Sequence, residues 1–239
     1  MNQSATTLME IIFNIAYLVV VWTLVVLMFR RQPQLPAETR RLRQFFILAF
    51  GLLALGDTGH VGFRVLAYLN GGIEAAGNGQ LVGLGALSTA ITVTFFYVVM
   101  LLIWKERFGK ALGGFGLLLL TAAVVRLIIM VFPQNAWTSA VPPQPWSLLR
   151  NLPLMVQGFG VAYLILRDAR AAQDRLFTSV GIMILVSYGF YLPVILFVQA
   201  VPPIGMLMIP KTLAYVAIAW LAFRALFQAP EPVAARSRS

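Results

Sequence analysis

Asp57, His60 and Arg64 stand three and four residues apart in the stretch Gly56-Asp57-Thr58-Gly59-His60-Val61-Gly62-Phe63-Arg64. On a helix that spacing puts all three on one face, within an arc of about 60°. A carboxylate one turn from an imidazole is an acid–base pair. The pattern supplies neither a nucleophile nor a metal, so no catalytic residue is assigned. The other chemistry open to such a cluster is anion binding, because cations and hydroxyls recur elsewhere in the chain. Arg126, Arg150, Lys211 with Tyr215, and Tyr188 with Tyr191 are the groups that can join it. Pro210, next to Lys211, frees a backbone carbonyl as a further acceptor.

The elements that must position these groups follow from composition. Of 239 residues, 60% are apolar and 11% charged, and the mean hydropathy is +0.84. A soluble domain has about 45–50% apolar and about 25% charged residues. So much hydrocarbon has to be solvated by lipid, which excludes a soluble enzyme, a secreted module and a disordered protein. A hydrocarbon layer of about 30 Å takes roughly 20 apolar residues per helix. Seven segments qualify, near 9–29, 44–69, 81–104, 111–132, 147–166, 176–200 and 203–226. The prolines of Val201-Pro202-Pro203 separate the last two as a hairpin. The expected fold is all-α: a seven-transmembrane helix bundle over 1–228, with a short disordered tail over 229–239. No basic residue precedes the first apolar run, so that run reads as a span rather than a signal peptide.

Basic residues set the direction. Arg30, Arg31, Arg40, Arg41 and Arg43 border the first connection, and Lys105, Arg107 and Lys110 the third. Arg167, Arg170 and Arg175 border the fifth, and Arg224, Arg236 and Arg238 follow the last span. The N-terminus and the second, fourth and sixth connections carry none. The positive-inside rule puts the N-terminus outside and the C-terminus in the cytoplasm, in a bacterial inner membrane. The formal net charge of +10 is thereby read as orientation and not as affinity for nucleic acid. With no cysteine and one histidine, no metal site is expected.

Of the 18 basic residues, Arg64, Arg126, Arg150 and Lys211 are left over. At 1.5 Å per residue, Asp57 lies roughly 20 Å and Arg64 roughly 30 Å above the inner end of span 2. Arg126 lies roughly 22 Å up span 4, and Lys211 roughly 12 Å down span 7 from outside. All four cations thus fall in the outer half. Polar groups recur at similar depth: Glu10, Asn14 and Tyr17 on span 1, Ser88, Thr92 and Tyr97 on span 3, and Gln199 beyond the span 6 tyrosines.

Each of these residues also has a purely structural reading. Arg64 and Arg150 can snorkel to outer headgroups, His60 can be a packing residue, and Asp57 can form an ion pair with Lys211 or Arg126. The hydroxyls can be interhelical glue. Against this stands the sum, since one pair does not neutralise four cations that share the outer half with one deep carboxylate, Asp57, and with Glu10 and Glu74 nearer the surface. Water or a bound anion is the expected partner of the excess.

Several stretches carry a resemblance. They are Gly56-Asp57 with His60 and Arg64, Phe132-Pro133-Gln134-Asn135 with Trp137, Arg150-Asn151 with Pro153, Gly189-Phe190-Tyr191 with Pro193, and 204–215, IGMLMIPKTLAY. Together they resemble a family of small bacterial seven-helix integral membrane proteins, over nearly the whole chain. The resemblance implies the fold and carries no activity with it. Seven helices and a lysine in span 7 also look like a retinal protein with Lys211 as Schiff base. That likeness departs in span 3, which has no carboxylate, and in the tryptophans, placed near span ends or loops. No cofactor is therefore assigned. Three Pro-Gln pairs lack the repeat arrangement of the seven-helix PQ-loop transporters.

The leading expectation is a receptor-like or sensor-like bundle with an outward-facing cationic pocket for a small anionic ligand or a lipid headgroup. Its short cytoplasmic loops imply a separate signalling or complex partner. A transporter of a small anionic solute is the alternative. It would need alternating access, for which Pro193 and Pro210 are the candidate helix breaks. An intramembrane enzyme ranks below both. Orientation is directly testable. Single cysteines replacing Gly72 and Ser139 should react with an impermeant thiol reagent on intact cells, and one replacing Gln32 should not. Labelling at Gln32 would reverse the topology.

Overall fold

The computed structural model describes residues 3–73 and 75–228, without the side chains of 3–8 and 10. The expectations that rest on the Glu10 side chain, on Glu74 and on the tail 229–239 lie outside the described residues. Seven α-helices follow in order: α1 Gln3–Arg31, α2 Arg40–Leu69, α3 Asn78–Phe108, α4 Gly113–Val131, α5 Gln144–Ala171, α6 Arg175–Phe197 and α7 Met208–Leu226. No strand occurs among the described residues. All seven helices are long and apolar enough to cross a membrane. Most extend past the hydropathic spans, because a helix continues through polar residues at its ends as long as its backbone bonds are made.

Successive helices pack as antiparallel neighbours, and α7 returns to α1 to close a ring. The most extensive interface joins α2 to α3. The approach is close enough that a Cβ on Gly85 would lie 3.1 Å from the His60 Cα and 3.2 Å from the Gly59 carbonyl oxygen. Small residues let membrane helices approach in this way, and dispersion contacts accumulate along the seam. The outward faces are apolar and exposed, as at Phe29, Leu69, Leu117 and Val131, as lipid-facing surfaces must be.

The two ends of the bundle are built differently. At the basic end, Phe46, Phe50, Met100, Leu101, Trp104, Phe177 and Phe223 fill a dense core. Around it the acids find partners. Asp174 accepts from the Phe177 N–H at 3.0 Å, capping α6, and pairs with Arg107 at 2.7 Å. Asp168 accepts from Trp104 Nε1 at 2.8 Å and pairs with Arg167. Arg43 is buried and donates to Thr39 and to the Pro36 carbonyl.

At the opposite end, buried amides close the connections. Asn78 Nδ2 donates to the carbonyls of Ala67 and Gly72, at 3.0 and 2.6 Å, and so seals the α2–α3 turn. Asn135 Nδ2 donates to Ile129 and Phe132, at 2.7 and 3.0 Å, and Trp137 Nε1 to Met130 at 2.9 Å. These bonds give the carbonyls at the end of α4 side-chain donors beyond the helix's own.

Two expectations about proline are corrected. Pro193 lies inside α6, which continues past it to Phe197. Pro210 is in the first turn of α7, because Pro202–Leu207 forms a separate 3-10 segment before the helix starts at Met208. A first-turn proline has no intrahelical N–H bond to lose, so it breaks nothing.

The α2–α3 seam generates a prediction. Gly85→Leu should force backbone against backbone and lower stability by about 1–3 kcal/mol, read as a depressed thermal midpoint of the purified protein. A midpoint equal to wild type would mean that the seam is not tightly packed.

Candidate functional site

The half of the bundle away from the basic end contains a cavity of about 980 Å³. Every residue singled out from the sequence as a site candidate lines it: Asp57, His60 and Arg64 from α2, Arg126 from α4, Arg150 from α5, Tyr188 and Tyr191 from α6, and Lys211 and Tyr215 from α7. Asn14 and Tyr17 of α1 join them. Each helix contributes because antiparallel packing brings the α2, α4 and α6 C-terminal halves level with the α1, α3, α5 and α7 N-terminal halves.

Asp57 is held by hydroxyls and not by an ion pair. Tyr17 donates to its Oδ2 at 2.6 Å, and Thr89 Oγ1 lies 3.4 Å from its Oδ1 and 3.0 Å from the Gly56 carbonyl. This corrects the expected direct pairing with Lys211 or Arg126. No ion pair joins Asp57 to either cation among the described residues. The geometry explains the difference: a carboxylate between α1 and α3 meets their hydroxyls first.

Lys211 sits instead against aromatic faces. Its Nζ is 4.7 Å from the centre of the Tyr191 ring and 5.7 Å from that of Tyr215. Both rings are fixed by their own hydroxyls. Tyr191 donates to Asn151 Oδ1 at 3.2 Å, and the Tyr215 and Tyr97 hydroxyls are 2.7 Å apart. Tyr188 packs on Gly158, donates to the Leu154 carbonyl at 2.9 Å and stacks at 5.6 Å from Tyr97. A cation over tyrosine faces is stabilised by the ring quadrupole while its N–H donors stay available.

Of the cations that line the cavity, Arg126 is the least exposed, at 2%. Its Nε and Nη1 are buried and have no hydrogen-bond partner. Arg150 is different. It donates to Asn135 Oδ1 at 3.2 Å and stacks 4.4 Å from the Trp137 ring, so it belongs to the clamp at the end of α4 as well as to the cavity wall. Snorkelling is thus replaced by a built site, because Asn135 and Trp137 fold back over the α5 N-terminus. His60 Nδ1 is buried without a partner. No cluster of three metal-ligating side chains occurs among the described residues.

Comparison with known proteins finds nothing: no family model matches the chain, and no curated protein or solved structure matches it. The site's chemistry therefore rests on its geometry alone.

Other polar residues expected near the site are placed elsewhere. Ser88 and Thr92 face Gly59 and Gly56 across the α2–α3 seam. Tyr97 is buried behind Tyr215, and Gln199 Nε2 donates to the Pro142 carbonyl at 2.8 Å in the connections. Trp22, expected near a span end, instead donates from within α1 to Thr58 at 2.9 Å. Thr89 and Asn151 line the cavity without having been singled out. Thr89 lies about 100° around α3 from Ser88, and only the direction of α2 decides which of the two faces inward. Asn151 adjoins Arg150, which was the available signal.

The Tyr17–Asp57 bond is checkable by a double-mutant cycle. Tyr17→Phe and Asp57→Asn should each destabilise, and the pair should cost less than the two together by about 1.5–3 kcal/mol. Additive costs would show that the hydroxyl does not serve the carboxylate.

Proposed function

We propose that this multi-pass protein uses the cavity as a receptor-like or sensor-like site for a small anionic ligand or a lipid headgroup. The observation that carries the reading is the pairing of Arg126 with Lys211 in one cavity. Among the described residues neither makes an ion pair, and two Arg126 nitrogens are buried without a partner. Removing a cation from water costs several kcal/mol unless an opposite charge answers it. Asp57 is the one carboxylate among the described cavity residues, and its oxygens already accept from Tyr17 and Thr89. An anion at the cations would complete the site.

In this reading the N-terminus and the cavity face outward, the C-terminus is cytoplasmic and the membrane is a bacterial inner membrane. The basic connections at the densely packed end support that orientation. Kinship with the small bacterial seven-helix proteins is part of the same proposal. A partner protein would receive the signal, because the connections at the basic end are short.

The alternative is transport of a small anionic solute. Two observations favour reception over it. The core at the basic end is dense, and α6 and α7 are continuous helices rather than the broken ones on which many transporters build their sites.

The experiment uses the full chain in phosphatidylcholine nanodiscs and in proteoliposomes. At least one carboxylate or phosphate compound should raise the thermal midpoint of wild type, and Lys211→Met should remove most of that rise. Labelled compound should not accumulate in proteoliposomes above empty vesicles. Stabilisation that survives in Lys211→Met would sink the site, and protein-dependent accumulation would establish the transporter.

A further inference from the structure

The cavity is too large and too apolar for a bare ion. Its volume of about 980 Å³ stands at the top of the range of about 300–1,000 Å³ that houses drug-sized ligands. Its lining combines polar and apolar groups. Lys211, Arg126 and the tyrosines of α6 and α7 belong to the first kind. Phe13 of α1, Val194 and Val198 at the end of α6, and Met206 of the 3-10 segment belong to the second. Met206 is 48% exposed, as a residue at a rim would be. Phe13 and Val198 lie nearer the end of the bundle opposite the basic one than Tyr17 and Tyr191, by four and seven positions along their segments.

We infer that the ligand is an amphiphilic anion: a carboxylate or phosphate head at Lys211 and Arg126, with an apolar body along Phe13, Val198 and Met206. This rests on the proposed anion site and adds the class of molecule. Two features call for both parts. Lys211 keeps its N–H donors while its charge lies on the tyrosine faces, which suits a single charge-assisted contact to an oxygen. The apolar lining, with Phe13, Val194, Val198 and Met206 in it, gains by being covered. A fatty-acid-like molecule in free solution and a phospholipid from the bilayer share this chemistry.

The test measures radiolabelled dodecanoate bound to the full chain in phosphatidylcholine nanodiscs, with empty nanodiscs subtracted. Binding should be saturable. Dodecanol has the body without the charge, and acetate and inorganic phosphate have a charge without the body. Each should compete at least about a hundredfold more weakly than unlabelled dodecanoate. Lys211→Met should weaken binding by about tenfold or more, and Lys211→Arg, which keeps the charge, should retain most of it. Met206→Asp, at the rim, should weaken it without lowering the thermal midpoint. Displacement by phosphatidylglycerol built into the nanodisc would identify the bilayer as the source, and indifference to it a free amphiphile. The source is read only once the competition has established the amphiphile site.

Equal competition by acetate or phosphate would overturn the amphiphile and leave the anion site standing. Equal competition by dodecanol, or wild-type binding by a folded Lys211→Met, would overturn both. Absence of saturable dodecanoate binding, in a protein that phosphate still stabilises, would overturn the amphiphile alone.

Discussion

A charge buried among hydrocarbon has to be answered within a few ångströms, and the cavity half of this protein is organised by that requirement. Asp57 is answered first, by a tyrosine from α1 and a threonine from α3. One carboxylate thereby ties three helices together. Lys211 is answered by the faces of two tyrosines, and those rings are held in turn by Asn151 and Tyr97. The polar groups form a chain of supports, each side chain fixing the next. Arg126 is where the chain stops, with nitrogens that no neighbour satisfies.

The same requirement divides the cations into kinds. At the basic end, Arg167, Arg107 and Arg41 meet Asp168, Asp174 and Glu106, and Arg43 meets Thr39 and the Pro36 carbonyl. Arg150 is stacked on Trp137 and bonded to Asn135, so its charge also serves to hold a connection in place. Arg126 and Lys211 have no comparable structural work, and they are the pair on which the functional reading turns. An arginine kept buried without a carboxylate is costly to the fold, and such costs are typically retained where a site needs them.

The two halves of the bundle complement each other. Aromatic and aliphatic packing at the basic end supplies the rigidity that lets the other half remain open. The tyrosines of α6 and α7 lie at the boundary. Phe96 touches Tyr97 and Tyr215 edge-on, at 5.2 and 5.4 Å, and couples the cavity floor to the core. In the proposed reading, a ligand pressing on that floor would press on packed rings.

Hydrophobic length alone determined the seven helices, because a bilayer admits few other arrangements of so apolar a chain. The depth of the ionisable residues followed from counting at a fixed rise, and it placed Asp57, Lys211 and Arg126 at one level before any contact was known. Rotation and partners were decided only by tertiary structure. Ser88 and Thr89 are adjacent in the chain, yet one faces the Gly59 seam and the other the Asp57 side, because α2 approaches α3 from one direction only. Asp57 was readable as a buried carboxylate but not as a hydroxyl-bound one, since its partners come from 40 and 32 residues away. For Arg150 the sequence leaves a pocket residue and a headgroup anchor both open, and its contacts come from the connection after α4, which folds back to give it Asn135 and Trp137. Pro210 looked like a helix break because the start of α7 is set by the preceding 3-10 segment, a boundary that hydropathy does not mark. Spacing along one helix is a local property that the sequence carries. Which face meets which neighbour depends on seven helices closing a ring together.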